Sequence, residues 1–171
     1  VYEVNGDVST KDLDIGRLLD IKRLHTVDSH IVALGEVRRD GHITASVNAN
    51  IDKLGFGSYD FSDIKFKGLA AGDSYVAMLD SRDENFDMTL HAAIVLDAEV
   101  PTYDVAMDLR RADLYALGIN KRDDVSVLSL TMGAHAEGAT LDDIDGNISI
   151  ANVEYEYPEN RLATDLLTFD I

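Results

Sequence analysis

The sequence has no cysteine and no tryptophan. Without cysteine there are no disulfides, no thiolate nucleophile and no Cys-ligated metal, while the redox compartment stays open. Without tryptophan and with few aromatics there is no stacking platform of the kind that would turn a chance pair among the many carboxylates into a glycosidase site. No apolar run approaches the ~20 residues of a membrane-spanning helix. The opening residues Val1 to Asp7 form neither a basic leader nor an initiator-Met start, which predicts a section taken from inside a longer protein. Basic residues are scarce too. Fifteen Lys and Arg stand against 32 Asp and Glu, a formal net charge of −17. Such a chain repels phosphate backbones and anionic membrane surfaces, so nucleic acid is not an expected partner.

Catalytic and metal-binding patterns are missing as well. The histidines at 25, 30, 42, 91 and 135 have no metal-ligand spacing, and His91 falls in the polar phase of an alternating tract, where a solvated ring is expected. The acidic run Asp80 to Asp87 contains Asp83-x-Asn85-x-Asp87, the opening of a calcium loop, but it has neither the loop's glycine nor its bidentate glutamate. It is therefore expected to be a solvated hairpin turn. Gly55-Phe56-Gly57 is too short for a phosphate-binding loop, and no G-x-S-x-G or Walker pattern occurs. No catalytic residue, no metal site and no cofactor are expected.

What the chain does contain is alternation. In Ile43 to Asp52, apolar side chains occupy positions 43, 45, 47, 49 and 51 with polar ones between, the signature of a strand with one wet face. Phe86, Met88, Leu90, Ala92, Ile94 and Leu96 share one phase against Asp87, Thr89 and His91. Tyr103, Val105, Met107 and Leu109 alternate with Asp104, Asp108 and Arg110. Ile148 and Ile150, then Val153, Tyr155 and Tyr157, keep the period with a one-residue slip near Asn152 that predicts a bulge. Turn signals at Arg39-Asp40-Gly41, Gly55-Phe56-Gly57, Ala71-Gly72-Asp73, Asp80 to Asn85 and Pro158-Glu159-Asn160 separate the tracts. Connections this short cannot hold a parallel crossover, so an antiparallel meander follows.

Helical periodicity is limited to Lys11 to Leu24, with Ser9 or Thr10 as N-cap, and to Arg111 to Leu117, stopped by Gly118. Both would be short lids or plugs on the sheet. Ser62 to Gly68 and Asp142 to Ile148 echo one another around an Asp-Ile pair, a hint of internal repetition. The predicted fold is mainly β: one antiparallel, strongly curved and partly open sheet with one or two short helices, residues 1–171 forming a single unit.

Four stretches carry a family resemblance: Leu13-Asp14-Ile15-Gly16-Arg17-Leu18-Leu19; Ala49-Asn50-Ile51 through Tyr59-Asp60-Phe61; Arg111-Ala112-Asp113-Leu114-Tyr115-Ala116-Leu117-Gly118; and Ala136-Glu137-Gly138 to Leu141 through Ile148. In this order, over nearly the whole chain, they resemble the TamB group of the AsmA-like envelope proteins, of the Bacteroidetes type. The resemblance implies an internal section of a long, repetitive periplasmic protein that is tied to the inner membrane and reaches towards the outer one. It also implies a groove-like β sheet that transports phospholipid between the membranes, and association of the full-length chain with a TamA-like outer-membrane barrel.

A sheet whose strands each have one apolar face must cover it, and only two short helices are available to do so. If the sheet curls into a trough, Val47, Ala49, Ile51, Met88, Leu90, Ile94, Val105, Met107 and Leu109 line it and phospholipid acyl chains are the expected occupants. Each CH₂ placed there would gain about 0.8 kcal/mol. Alternation is equally compatible with a closed sandwich core. Such a trough selects chain length over head group, because no placed polar groups are evident. The alternative expectation is an assembly factor for outer-membrane β-barrel proteins, acting through unpaired sheet edges.

Overall fold

The computed structural model describes residues 2–38, 42–96, 99–139 and 143–170. The chain forms β1 (Tyr2–Asp14), α1 (Ile15–Leu19), β2 (Leu24–Val37), β3 (Ile43–Phe56), β4 (Tyr59–Ala71), β5 (Ser74–Arg82), β6 (Phe86–Val95), β7 (Thr102–Asp113), β8 (Val127–Glu137), β9 (Asp145–Tyr157) and β10 (Asn160–Asp170). All ten strands lie in one sheet in sequence order, each antiparallel to its neighbours. β1 and β10 are the two edges and do not meet, so the sheet is open. Among the described residues every substantial contact between strands joins sequence neighbours, and no second sheet packs on the first.

The meander follows from the short connections. Gly57-Ser58, Gly72-Asp73 and Pro158-Glu159 close two-residue hairpins, with Gly57 (φ 65°), Gly72 (φ 60°) and Glu159 (φ 62°) in the left-handed conformation such turns require. The turn expected at Arg39-Asp40-Gly41 lies outside the described residues.

A line of irregularities crosses the sheet at one height. Asp12 on β1 (φ 50°), Asp63 on β4 (φ 47°) and Asn152 on β9 (φ 51°) adopt positive φ, and register shifts fall beside this line in the β1–β2, β2–β3, β6–β7, β7–β8 and β8–β9 pairs. A bulge bends and twists its strand, so a row of them folds the sheet about a common axis. The slip at Asn152 is the bulge that the sequence predicts.

Three sequence expectations are corrected. The helix expected over Lys11 to Leu24 is confined to Ile15–Leu19, with Asp14 as its cap accepting from the Arg17 N–H at 2.9 Å. Lys11 to Asp14 stay in β1, with a left-handed kink at Asp12, because Leu13 and Asp14 pair with Val27 and Thr26. Arg111 to Leu117 is not a helix: β7 runs on to Asp113, and a single turn follows, closed by the Leu117 N–H on the Asp113 carbonyl and ended by Gly118 (φ 72°). The echo has no structural counterpart, since Asp63-Ile64 lies inside β4 whereas Asp143-Ile144 precedes β9 and Asp142 is outside the described residues. Among the described residues no helix is long and apolar enough to cross a membrane.

Candidate functional site: an uncovered apolar trough

Because facing residues in adjacent strands share a face, the register can be followed from edge to edge. Starting at Leu90 it passes through Leu79, Phe66, Ala49, Ile31 and Val8 on one side, and through Met107, Met132, Ile150 and Leu167 on the other. All ten are apolar. The next row reads Gly6, Ala33, Val47, Gly68, Ala77, Ala92, Val105, Ala134, Ile148 and Phe169, with small residues dominating. Beyond it lie Ala45, Ala70, Tyr75, Ile94 and Tyr103, and on the opposite flank Ile51, Ile64, Ser81, Met88 and Leu109. None of these positions is charged. With nine inter-strand spacings of about 4.8 Å, the stripe is roughly 43 Å long.

All nine residues proposed from the sequence lie on this face. Met88 is opposite Leu109, Leu90 opposite Met107, and Val105 continues the row of Val47. Val47 and Ile94 line a hollow of about 300 Å³ over Gly68, Ala77 and Ala92. Ala49 in the central row and Leu109 on the flank are both only 7% exposed, so they are packed rather than open. Ile31, Phe66, Leu79, Met132, Ile150 and Leu167 were missed, although β8 carries the same signal in Leu128, Leu130, Met132, Ala134 and Ala136.

The buried strand side chains, Val27, Ser29, Ala49, Ile64, Ser81, Leu109 and Ala112, all belong to the apolar face and cluster near the line of bulges. Hollows of about 470 and 430 Å³ lie against the other face, beside His91, Asp104 and His135 and beside Leu34, Ser46 and Leu69, while the apolar face carries what packing the sheet has. That face is not filled. A compact monomer of this size exposes about 8,300 Å², whereas this chain exposes 11464 Å².

At the bulged rim the connection between β7 and β8 folds over the sheet. Its Leu114 N–H donates to the Ser126 carbonyl at 2.7 Å, and the fully buried Ser126 hydroxyl pairs with the Tyr155 hydroxyl at 2.9 Å and accepts from Asn120 Nδ2 at 3.0 Å. Nearby, Asp83 is 4% exposed, not a solvated turn residue as the sequence suggests. It accepts from the Tyr59 hydroxyl (2.5 Å), the Ser62 N–H (2.9 Å), the Ser62 hydroxyl (2.8 Å) and the Asn85 N–H (2.9 Å). These donors clamp the β5–β6 turn to β4.

The opposite face carries polar rows such as His30, Asn50, Lys65, Asp80, Thr89, Asp108 and Thr131, interrupted by exposed Leu34, Leu69, Val76 and Met78. His91 is exposed there, as its phase predicts. His135 Nδ1 lies 2.7 Å from Asp104 and its Nε2 3.3 Å from Glu137, and these hydrogen bonds raise its pKa above the ordinary imidazole value. Among the described residues no group of three or more His, Asp and Glu side chains is arranged to hold a metal ion. Compared with family models, with curated proteins and with solved structures, the chain matches none.

Proposed function

We propose that this chain is a non-enzymatic section of a phospholipid conduit, of the kind that the likeness to AsmA-like and TamB-like envelope proteins implies. The observation that carries the reading is the continuous apolar face. Its rows are apolar from β1 to β10 and carry no charge, and among the described residues no second sheet covers them. Acyl chains lying along the row of small residues would contact the larger Leu79, Leu90, Met107 and Met132 beside it, each CH₂ removed from water contributing about 0.8 kcal/mol. Head groups would stay at the rims, in water. The net charge of −17 discourages adhesion of the outer face to anionic membranes. In this reading the segment works in the periplasm, within an inner-membrane-anchored protein that meets a TamA-like barrel.

A second reading rests on the edges. β1 and β10 each leave a row of backbone donors and acceptors unpaired, a template for an incoming strand of an outer-membrane protein. Photo-crosslinkers at Leu90 and at Leu166 on the β10 edge separate the two. Lipid adducts at Leu90, with lipid extracted from the purified protein and seen by mass spectrometry, are expected for the conduit. Polypeptide adducts at Leu166 with no lipid at Leu90 would reject it in favour of the assembly factor.

A further inference from the structure

At the bulged rim, where the β3–β4 turn meets the segment after β7, lies a hollow of about 540 Å³. That is within the ~300–1,000 Å³ typical of small-molecule sites. Phe56, Phe61, Leu117 and Ile119 give it apolar walls, and Arg23 and Lys121 are the two cations that line it. Phe61 links it to the trough, since its ring meets Phe86 of β6 edge-on at 5.4 Å between centroids.

What sets this hollow apart is that two cations border one apolar pocket. Arg110, Arg161, Arg82 and Lys53 are each neutralised by a neighbouring carboxylate. Arg23 and Lys121 make no ion pair among the described residues, as is also true of Lys11, Arg17, Lys22, Arg38, Lys67 and Arg122, but these two line the same apolar hollow. In a chain with twice as many acids as bases, two unpaired cations beside one apolar pocket mark a place where negative charge is welcome. The pocket's two walls are also fixed. The Gly57 N–H donates to the Arg23 carbonyl at 2.7 Å, and Gly118 packs so closely on Ser58 that a Cβ there would run into its hydroxyl.

We propose that this hollow is a head-group site for anionic phospholipid, the phosphate held by Arg23 and Lys121 and the first methylenes covered by Phe61 and Leu117. The proposal rests on the lipid reading and adds to it, because it makes the rim selective where the trough alone is indifferent to head groups.

The test is calorimetric titration of the whole chain with palmitoyl lysophosphatidic acid and with palmitoyl lysophosphatidylcholine, both below their micelle concentrations. The anionic probe is expected to bind about tenfold more tightly, as one or two charge-assisted contacts would give. The R23Q/K121Q double variant should lose that preference, bind the choline probe as before and keep its circular-dichroism spectrum. The single K121Q variant should lose part of it. Inorganic phosphate alone should not compete. If the double variant keeps the preference while both probes still bind, the head-group site is refuted and the trough stands. If phosphate competes as well as the lipid does, the hollow is a free-anion site and the proposal is overturned. If neither probe binds the unaltered chain, the proposal and the lipid reading fall together.

Discussion

Asp83 shows how much one buried carboxylate can organise. Burial alone would raise its pKa, but the Tyr59 hydroxyl, the Asn85 N–H and the hydroxyl and N–H of Ser62 together outweigh burial and lower it. A carboxylate whose folded pKa is depressed stabilises the fold above its unfolded value, about 3.9, and that stabilisation is lost as pH falls through the folded value. Asp83→Asn should therefore cost about 2–3 kcal/mol in urea unfolding at neutral pH, because an amide cannot accept all four bonds, and it should flatten the acid limb of stability. Tyr59 has the opposite sign. Burial first, then the hydrogen bond to Asp83, push its pKa up to about 12. Its neutral hydroxyl stabilises the fold up to about pH 10, where an unfolded tyrosine ionises, and this is lost as pH rises towards the folded value. In Tyr59→Phe the alkaline limb measured by urea melts should flatten. None of this was legible in Asp80 to Asp87, which reads as a solvated turn. Three of the four donors come from Tyr59 and Ser62 of β4, and only the pairing of β4 with β5 brings that strand alongside.

At the scale of the element, alternation made β3, β6, β7 and β9 legible, and the phase slip from Ile150 to Val153 located the bulge at Asn152. The same device at Asp12 and Asp63 went unread, although Asp and Asn are the residues that best tolerate left-handed backbone. Leu13, Leu18, Leu19 and Ile21 imitated a helical face. In the structure Leu13 faces Val27 in the sheet while Leu18 and Leu19 are 73% and 58% exposed, so the apparent periodicity met no core. If the bulges set the bend, their backbone conformation matters more than their side chains. Asn152→Gly, which enters φ 51° freely, should change stability by less than about 1 kcal/mol, its greater unfolded-state entropy offsetting the relief. Asn152→Val should lose about 2 kcal/mol, because a β-branched residue is penalised in that region. Denaturant midpoints of the two variants check the contrast. Equal losses in both would assign the effect to the Asn152 amide, which donates to Thr131 at 3.3 Å, instead of to the bulge.

Over the whole molecule, the sequence showed that each strand has an apolar side but not whether ten such sides close on one another. Period-two alternation is the same for a sandwich and for a single curved layer, and only the register and the lack of a facing sheet distinguish them. The two faces therefore provide a paired experiment. Leu90, half-buried, lies in the middle of the apolar row between Leu79 and Met107. Leu34, 51% exposed, lies on the polar face opposite Asn5 and Ser46. Leu90→Asp and Met107→Asp place a carboxylate where a passing acyl chain would have to desolvate it, at a cost of several kcal/mol per lipid. Leu34→Asp adds the same charge in contact with water. The expected outcome is loss of bound lipid and of lipid movement with either trough variant and ordinary behaviour with Leu34→Asp, with circular dichroism confirming the sheet in all three. A trough that serves only as an unfilled structural face would lose stability on Leu90→Asp but transport lipid unchanged. That result would transfer the functional weight to the open edges of β1 and β10, where backbone groups, not side-chain polarity, would then have to do the recognising.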